Sequence, residues 1–197
     1  MKLYRFLPFA LVLFAGCKHS QDCPAFSEVD AAWLVYHDND TAKFTNGAGS
    51  TITFVMGGKQ LSSSYTEACG RGEPAGYYCK SCIAEASVSG TTDSVRGNGH
   101  KRLTISMRQE EGMDDLSIGI YDIHTRLQYN SATHQPEGNT TTVTLGGTTY
   151  GDVYFYEQDT LNANPVFNPV VSKIYYNRQF GILGFYDRQT HSLFYRE

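Results

Sequence analysis

The chain alternates between apolar and polar residues from Thr41 onward. Leu103, Ile105 and Met107 are separated by Thr104 and Ser106, and Leu116, Ile118 and Ile120 by Ser117 and Gly119. A period of two puts the apolar set on one face of a strand, so both segments predict half-buried strands. The polar run from Glu110 to Asp115 lies between them as a turn. Shorter alternations recur in Lys43-Phe44-Thr45, in Thr51–Val55, in 83–88, around 125–130 and 140–145, and from Tyr150 to Tyr156. Three more strands, 172–176, 180–186 and 191–195, bring the chain to its end, the first two flanking a turn at Asn177-Arg178-Gln179. Asn46-Gly47 and Gly57-Gly58 suit tight turns with positive φ, and Gly146-Gly147 turns the chain into the Tyr150 strand. Residues 66–82 read as irregular, and Asp159 to Pro169, with two prolines, reads as a loop. Helix signals are confined to Ser27–Leu34, where Ser27 and Asp30 imitate a capping box. The pattern predicts an all-β protein. Its expected form is an antiparallel meander forming a curled sheet, half-barrel or barrel, or a sandwich, with at most one short N-terminal helix.

The beginning of the chain follows different rules. Lys2 and Arg5 precede an apolar run from Phe6 to Phe14, and Phe14-Ala15-Gly16-Cys17 follows. The run is about half the roughly 20 apolar residues that a membrane-crossing helix needs, so it reads as a secretory leader. Two small residues before a cysteine resemble a bacterial lipobox, which makes Cys17 the lipidation site. The expected organisation is a signal peptide over 1–16, a polar tether over 17–25 and one β-rich domain over 26–197. Lys18, rather than Asp, follows the cysteine. The expected location is therefore the outer membrane, with the domain lipid-anchored and either periplasmic or surface-exposed.

Composition narrows the function. There are 16 basic and 20 acidic residues, and the leader contains two of the basic ones, so no basic stripe remains to bind nucleic acid. Tyr and Phe number 14 and 11, a balance suited to strands in an exported protein. Setting Cys17 aside leaves Cys23, Cys69, Cys79 and Cys82, an even set that predicts two disulfides in an oxidising compartment. The pairing Cys69–Cys79 with Cys23–Cys82 is the expectation, one of three possible connectivities.

Two terminal segments carry a resemblance. Trp33-Leu34-Val35-Tyr36 with Asp40-Thr41-Ala42-Lys43-Phe44-Thr45-Asn46, and Lys173-Ile174-Tyr175-Tyr176 with Phe180-Gly181-Ile182-Leu183-Gly184-Phe185, resemble the opening and closing segments of uncharacterised Bacteroidota lipoproteins. The resemblance transfers no activity. Physically, Trp33 suits the role of a plug at the open end of a sheet, and Gly181 and Gly184 suit crowded bends.

Candidate chemistry is sparse. Cys79-Lys80-Ser81-Cys82 has redox spacing, but a strand-like segment follows where a reactive thiolate needs a helix N-terminus, so the cysteines read as structural. Glu110, Glu111, Asp114 and Asp115 fit no calcium loop and read as a solvated hairpin tip, and Asp38-Asn39-Asp40 reads as turn chemistry. The six histidines have no metal-binding spacing, and no nucleophile elbow or phosphate loop occurs. Thr41, Ser94 and Thr160 lie in Asp-Ser/Thr-aliphatic triplets that resemble the short O-glycosylation acceptor of Bacteroidota. These readings lead to a non-enzymatic binding or structural module with no cofactor and no metal. Its expected partners are the membrane, through the lipid, and an unidentified envelope protein or hydrophobic ligand. The alternatives are a lipid carrier with a hollow sheet and a hydrolase of envelope glycans with two facing carboxylates.

Overall fold

The computed structural model describes residues 23–66, 81–96, 99–110, 114–121, 123–157 and 171–197. Cys17, Cys69, Cys79, Glu111 and Thr160, the loop expected over Asp159–Pro169 and most of the irregular stretch expected over 66–82 lie outside them.

One helical turn, α1 (Glu28–Ala31), precedes thirteen strands. These are β1 (Thr41–Thr45), β2 (Thr51–Met56), β3 (Gln60–Thr66), β4 (Ser81–Arg96), β5 (Gly99–Glu110), β6 (Asp115–Ile120) and β7 (Ile123–Asn130). The series continues with β8 (Gln135–Pro136), β9 (Thr141–Leu145), β10 (Thr148–Glu157), β11 (Val171–Asn177), β12 (Gly181–Asp187) and β13 (Ser192–Arg196). The strands form a single antiparallel sheet in the order β8-β7-β6-β5-β4-β2-β1-β13-β12-β11-β10-β9, with β3 also paired to β4. The sheet curls into a half-barrel. It is a meander joined through its termini, because β13 pairs with β1 in the middle of the sheet.

The alternating segments pair as their pattern demands. Ile105 lies opposite Ile118 and also opposite Val88, so three strands present apolar side chains to the same concave face. Among the described residues that face is packed with apolar side chains. Phe44 packs edge-on to Phe54 and Phe185, and Phe185 stacks on Phe194 with ring centroids 5.3 Å apart. Small residues accommodate large neighbours along β4. A side chain at Gly90 would meet the Met56 sulfur at 2.4 Å.

Two turns differ from expectation. Asn46 Oδ1 accepts from the backbone N–H of Ala48 and Ser50, and the positive φ falls on Gly49, so the β1–β2 connection is a longer Asn-centred loop. Gly57 and Gly58 lack positive φ, and the chain does not reverse there. Both β2 and β3 run antiparallel to β4, one continuing the other along its length. Gly57 N–H donates to the Ser89 carbonyl, which keeps the break hydrogen-bonded to β4. By contrast, Gly146 and Gly147 both have positive φ and form the two-residue turn between β9 and β10.

The convex face carries a second, smaller cluster. Leu145, Val153 and Leu183 are buried together, with Leu193 and Tyr195 against them. This follows from a register shift between Tyr150 and Val153, which re-aims the β9–β10 hairpin so that Gly146 lies on Tyr195 and Leu145 approaches Gly184. At Gly181 a φ of 77° and the proximity of Val35 and Tyr36 leave no room for a side chain.

Candidate functional site

The seam of the half-barrel is closed by side chains. The segment after α1 inserts Trp33, which is 3% exposed, between the two approaching regions of the sheet. Its ring stacks on Tyr176 of β11 at 6.2 Å and meets Tyr154 of β10 and Tyr129 of β7 edge-on. Trp33 Nε1–H donates to the His134 carbonyl at 3.1 Å, and the Tyr176 hydroxyl donates to the Trp33 carbonyl. The Tyr154 hydroxyl crosses the same seam to the Pro136 carbonyl at 3.2 Å. Aromatic rings with a polar tip suit this position, because each fills apolar volume while its donor satisfies a backbone acceptor.

Asp30 locks the plug in place. Ser27 caps α1 by accepting from the Asp30 N–H, as expected, but the Asp30 carboxylate points into the protein and is 1% exposed. It accepts from the Tyr129 hydroxyl at 2.5 Å and Gln109 Nε2 at 2.5 Å, and lies 2.8 Å from His134 Nδ1. Burial pushes the Asp30 carboxyl upward, but hydrogen bonds from Tyr129, His134, Gln109 and Ser27 outweigh it and hold the group below the usual carboxylate range. Burial, reinforced by Asp30, raises the Tyr129 phenol. The same desolvation raises Tyr154, with Asp152 contributing, and carries Tyr176 well above the ordinary tyrosine value.

Beside the plug the seam opens into a cleft of about 330 Å³. Trp33 and Tyr154 form its apolar part, and Gly151 and Asn177 its inner corner. Asn177 is structural. Its Nδ2–H donates to the Gly151 carbonyl and its Oδ1 accepts from the Phe180 N–H. The remaining wall is polar: Gln135, Thr140, Asp152, Arg178 and Gln179. Arg178 lies over the Trp33 ring at 5.6 Å and donates to the Val29 carbonyl. The side chains of Gln135, Thr140, Asp152 and Gln179 make no hydrogen bond or ion pair among the described residues. Asp152 sits at the β10 register shift with φ 51°, a left-handed conformation that aspartate adopts more readily than most residues.

The concave interior is different. The void between β6–β7 and β10–β11, lined by Ile118, Leu127, Ile174 and Tyr176 among others, holds about 10 Å³, at most one water.

The residues singled out from the sequence fall mostly elsewhere. Cys82 is joined to Cys23, with Cα atoms 5.4 Å apart, which ties the end of the tether to β4. Glu110 is paired with Arg108 at 2.7 Å and Asp115 with Arg126 at 3.5 Å, while Asp114 accepts from the Glu110 N–H. The expected solvated tip is thus a paired hairpin end, with Glu110 and Asp115 only about one-sixth exposed. Among the described residues no group of His, Cys, Asp and Glu could hold a metal ion. Asp38-Asn39-Asp40 forms a turn, with Asn39 at φ 65° and Asp40 accepting from the His37 N–H. Thr41 is the exposed first residue of β1, and Ser94 is described only in its backbone, within β4.

Trp33 is the cleft residue the sequence flagged. Asp30 was flagged only as a cap and Asn177-Arg178-Gln179 only as a turn, and Gln135 and Thr140 gave no signal. The break in alternation at Gly151-Asp152, inside the Tyr150–Tyr156 strand, was the one available mark of the bulge. No family model, no curated protein and no solved structure matches the chain.

Proposed function

We propose that this protein is a lipid-anchored envelope protein that works as a non-enzymatic binding module, with the seam cleft as its ligand site. One observation carries the reading: a concave site in which the side chains of Gln135, Thr140, Asp152 and Gln179 are uncommitted, held on a frame of buried, hydrogen-bonded aromatics. Preformed clefts of about 300 Å³ and above, with an apolar part and a few convergent polar groups, are the usual form of small-molecule sites. Binding is favoured over catalysis by the lining. Among the described residues the cleft wall holds one carboxylate, Asp152, and no histidine, serine or cysteine. Glycoside hydrolysis needs two carboxyl groups about 5–10 Å apart. The packed apolar core of the described residues along the concave face supports this reading over a carrier with an internal hydrophobic cavity. The anchor rests on the lipobox-like Phe14-Ala15-Gly16-Cys17, and the resemblance to Bacteroidota lipoproteins is consistent with it.

Two experiments test the proposal. Palmitate labelling of the native protein, lost in Cys17→Ala, supports the anchor, and an unlabelled soluble wild type removes it. The chain has a single tryptophan, so the emission of Trp33 reports on the cleft. A saturable change with at least one member of a panel of small polar neutral, anionic, cationic and zwitterionic compounds supports the site. A flat response across the panel removes it.

A further inference from the structure

The binding-module reading leaves the class of ligand open, and the chemistry of the cleft wall narrows it. The polar groups of the wall contribute three capacities. Gln135 and Gln179 each present an amide that both donates and accepts, Thr140 a hydroxyl that does both, Asp152 acceptors only and Arg178 donors only. The wall therefore holds one formal negative and one formal positive charge among three neutral groups. A free anion would meet the Asp152 carboxylate, and a free cation the Arg178 guanidinium. Arg178 is in addition already held by the Trp33 ring and the Val29 carbonyl, which orients its remaining N–H groups without releasing it. A net-neutral ligand with many groups that donate and accept at once satisfies every member of the set. Vicinal hydroxyls are such groups, each donating to Asp152 or a glutamine carbonyl while accepting from an amide or from Arg178.

The rest of the cleft fits the same ligand. Tyr154 and the edge of Trp33 supply apolar surface for the C–H faces of a sugar ring, and about 330 Å³ suits a mono- or disaccharide. Asp152 stands on the cleft wall at the β10 bulge, whose Gly151 carbonyl is held by Asn177. We propose that the seam cleft binds a neutral saccharide, with Asp152 accepting from two neighbouring hydroxyls and Gln135, Gln179 and Arg178 hydrogen-bonding the remainder.

The inference rests on the cleft being a ligand site, and the test separates the two. The full chain is titrated with maltose, lactose and N,N′-diacetylchitobiose, and in parallel with glucuronate, glucosamine and alanine, following Trp33 emission. At least one neutral disaccharide is expected to saturate, and to do so at lower concentration than any charged or zwitterionic probe. Asp152→Asn, which keeps the left-handed conformation accessible, and Gln179→Ala, at an exposed position, are each expected to weaken that sugar about tenfold, the effect of losing one hydrogen bond to a charged or well-placed partner. Their melting temperatures stay within a degree or two of wild type, which separates lost binding from lost structure. Saturation by glucuronate, glucosamine or alanine ahead of every neutral sugar overturns the saccharide class and leaves the site standing. Unchanged sugar affinity in both variants places the sugar elsewhere and overturns the inference. A flat response to all six probes removes the saccharide site together with the reading beneath it.

Discussion

Truncating Ile182 tests whether the stability of the half-barrel lies where its termini join. Ile182 is fully buried, lies opposite Tyr176 in the β11–β12 pair, and donates its N–H to the Tyr36 hydroxyl. Ile174 is buried in the same cluster. Ile182→Ala removes three carbons, worth about 0.8 kcal/mol each in transfer, or about 2.4 kcal/mol. The residual cavity adds to this, because Tyr176 and Phe185 are fixed by other contacts and cannot collapse into it, giving about 3–5 kcal/mol in total. For a domain of this size each kcal/mol moves the melting temperature by roughly 2–4 °C, so calorimetry should record a fall on the order of 10 °C. Ile182→Val should cost only about 1 kcal/mol. Glu110→Ala, which breaks the part-buried pair with Arg108, and Asp114→Ala, which removes an acceptor of the Glu110 N–H, should each cost about 1–2 kcal/mol, well below Ile182→Ala. Equal small shifts in Ile182→Ala and the two acidic variants would refute the assignment of this hairpin to the core.

Three further outcomes follow from buried groups. The Asp30 carboxyl titrates below its ordinary value of 3.8, so its stabilisation is present above that pH and lost as pH falls through the lower folded value. The stability gap between wild type and Asp30→Asn should therefore be full at neutral pH and close progressively below pH 3.8 in acid-denaturation curves; a constant gap would contradict the hydrogen-bonded carboxylate. Burial pushes the Tyr36 phenol up to about 12 from 10.0, so its contribution is complete below pH 10 and lost as pH rises toward 12. Tyrosinate absorbance should show a late class of phenols whose ionisation coincides with loss of near-ultraviolet circular dichroism, and uniform early ionisation would contradict it. The Cys23–Cys82 bond closes a separation of 59 residues, and its removal in Cys23→Ser should cost about 2–4 kcal/mol. Non-reducing peptide mapping should recover the Cys23–Cys82 crosslink, and both thiols free would remove it.

How far the fold was legible follows from what a local pattern contains. The β5–β6 hairpin was legible because one face is buried and the other wet, which fixes both strand type and register. The β9–β10 turn was legible because Gly146 and Gly147 are needed at positive φ. The break between β2 and β3 was not, because Gly57-Gly58 looks the same whether the chain reverses or steps along a longer partner strand. The Asp30 hub was illegible for a different reason: its three side-chain partners lie 79, 99 and 104 residues away. The cleft is likewise assembled from Trp33, Gln135, Asp152 and Gln179, side chains that only the curvature of the sheet brings together.

The central claim, a ligand site at the seam, is tested most directly by amide chemical-shift mapping of the isotopically labelled chain with a saturating neutral disaccharide. The account predicts shifts concentrated on the Trp33 side-chain N–H and on the backbone amides of Gln135, Asp152 and Gln179. Shifts confined to the concave core around Ile105 and Phe185, or to the exposed residues Phe155 and Leu61, would contradict it, as would the absence of any shift at the seam.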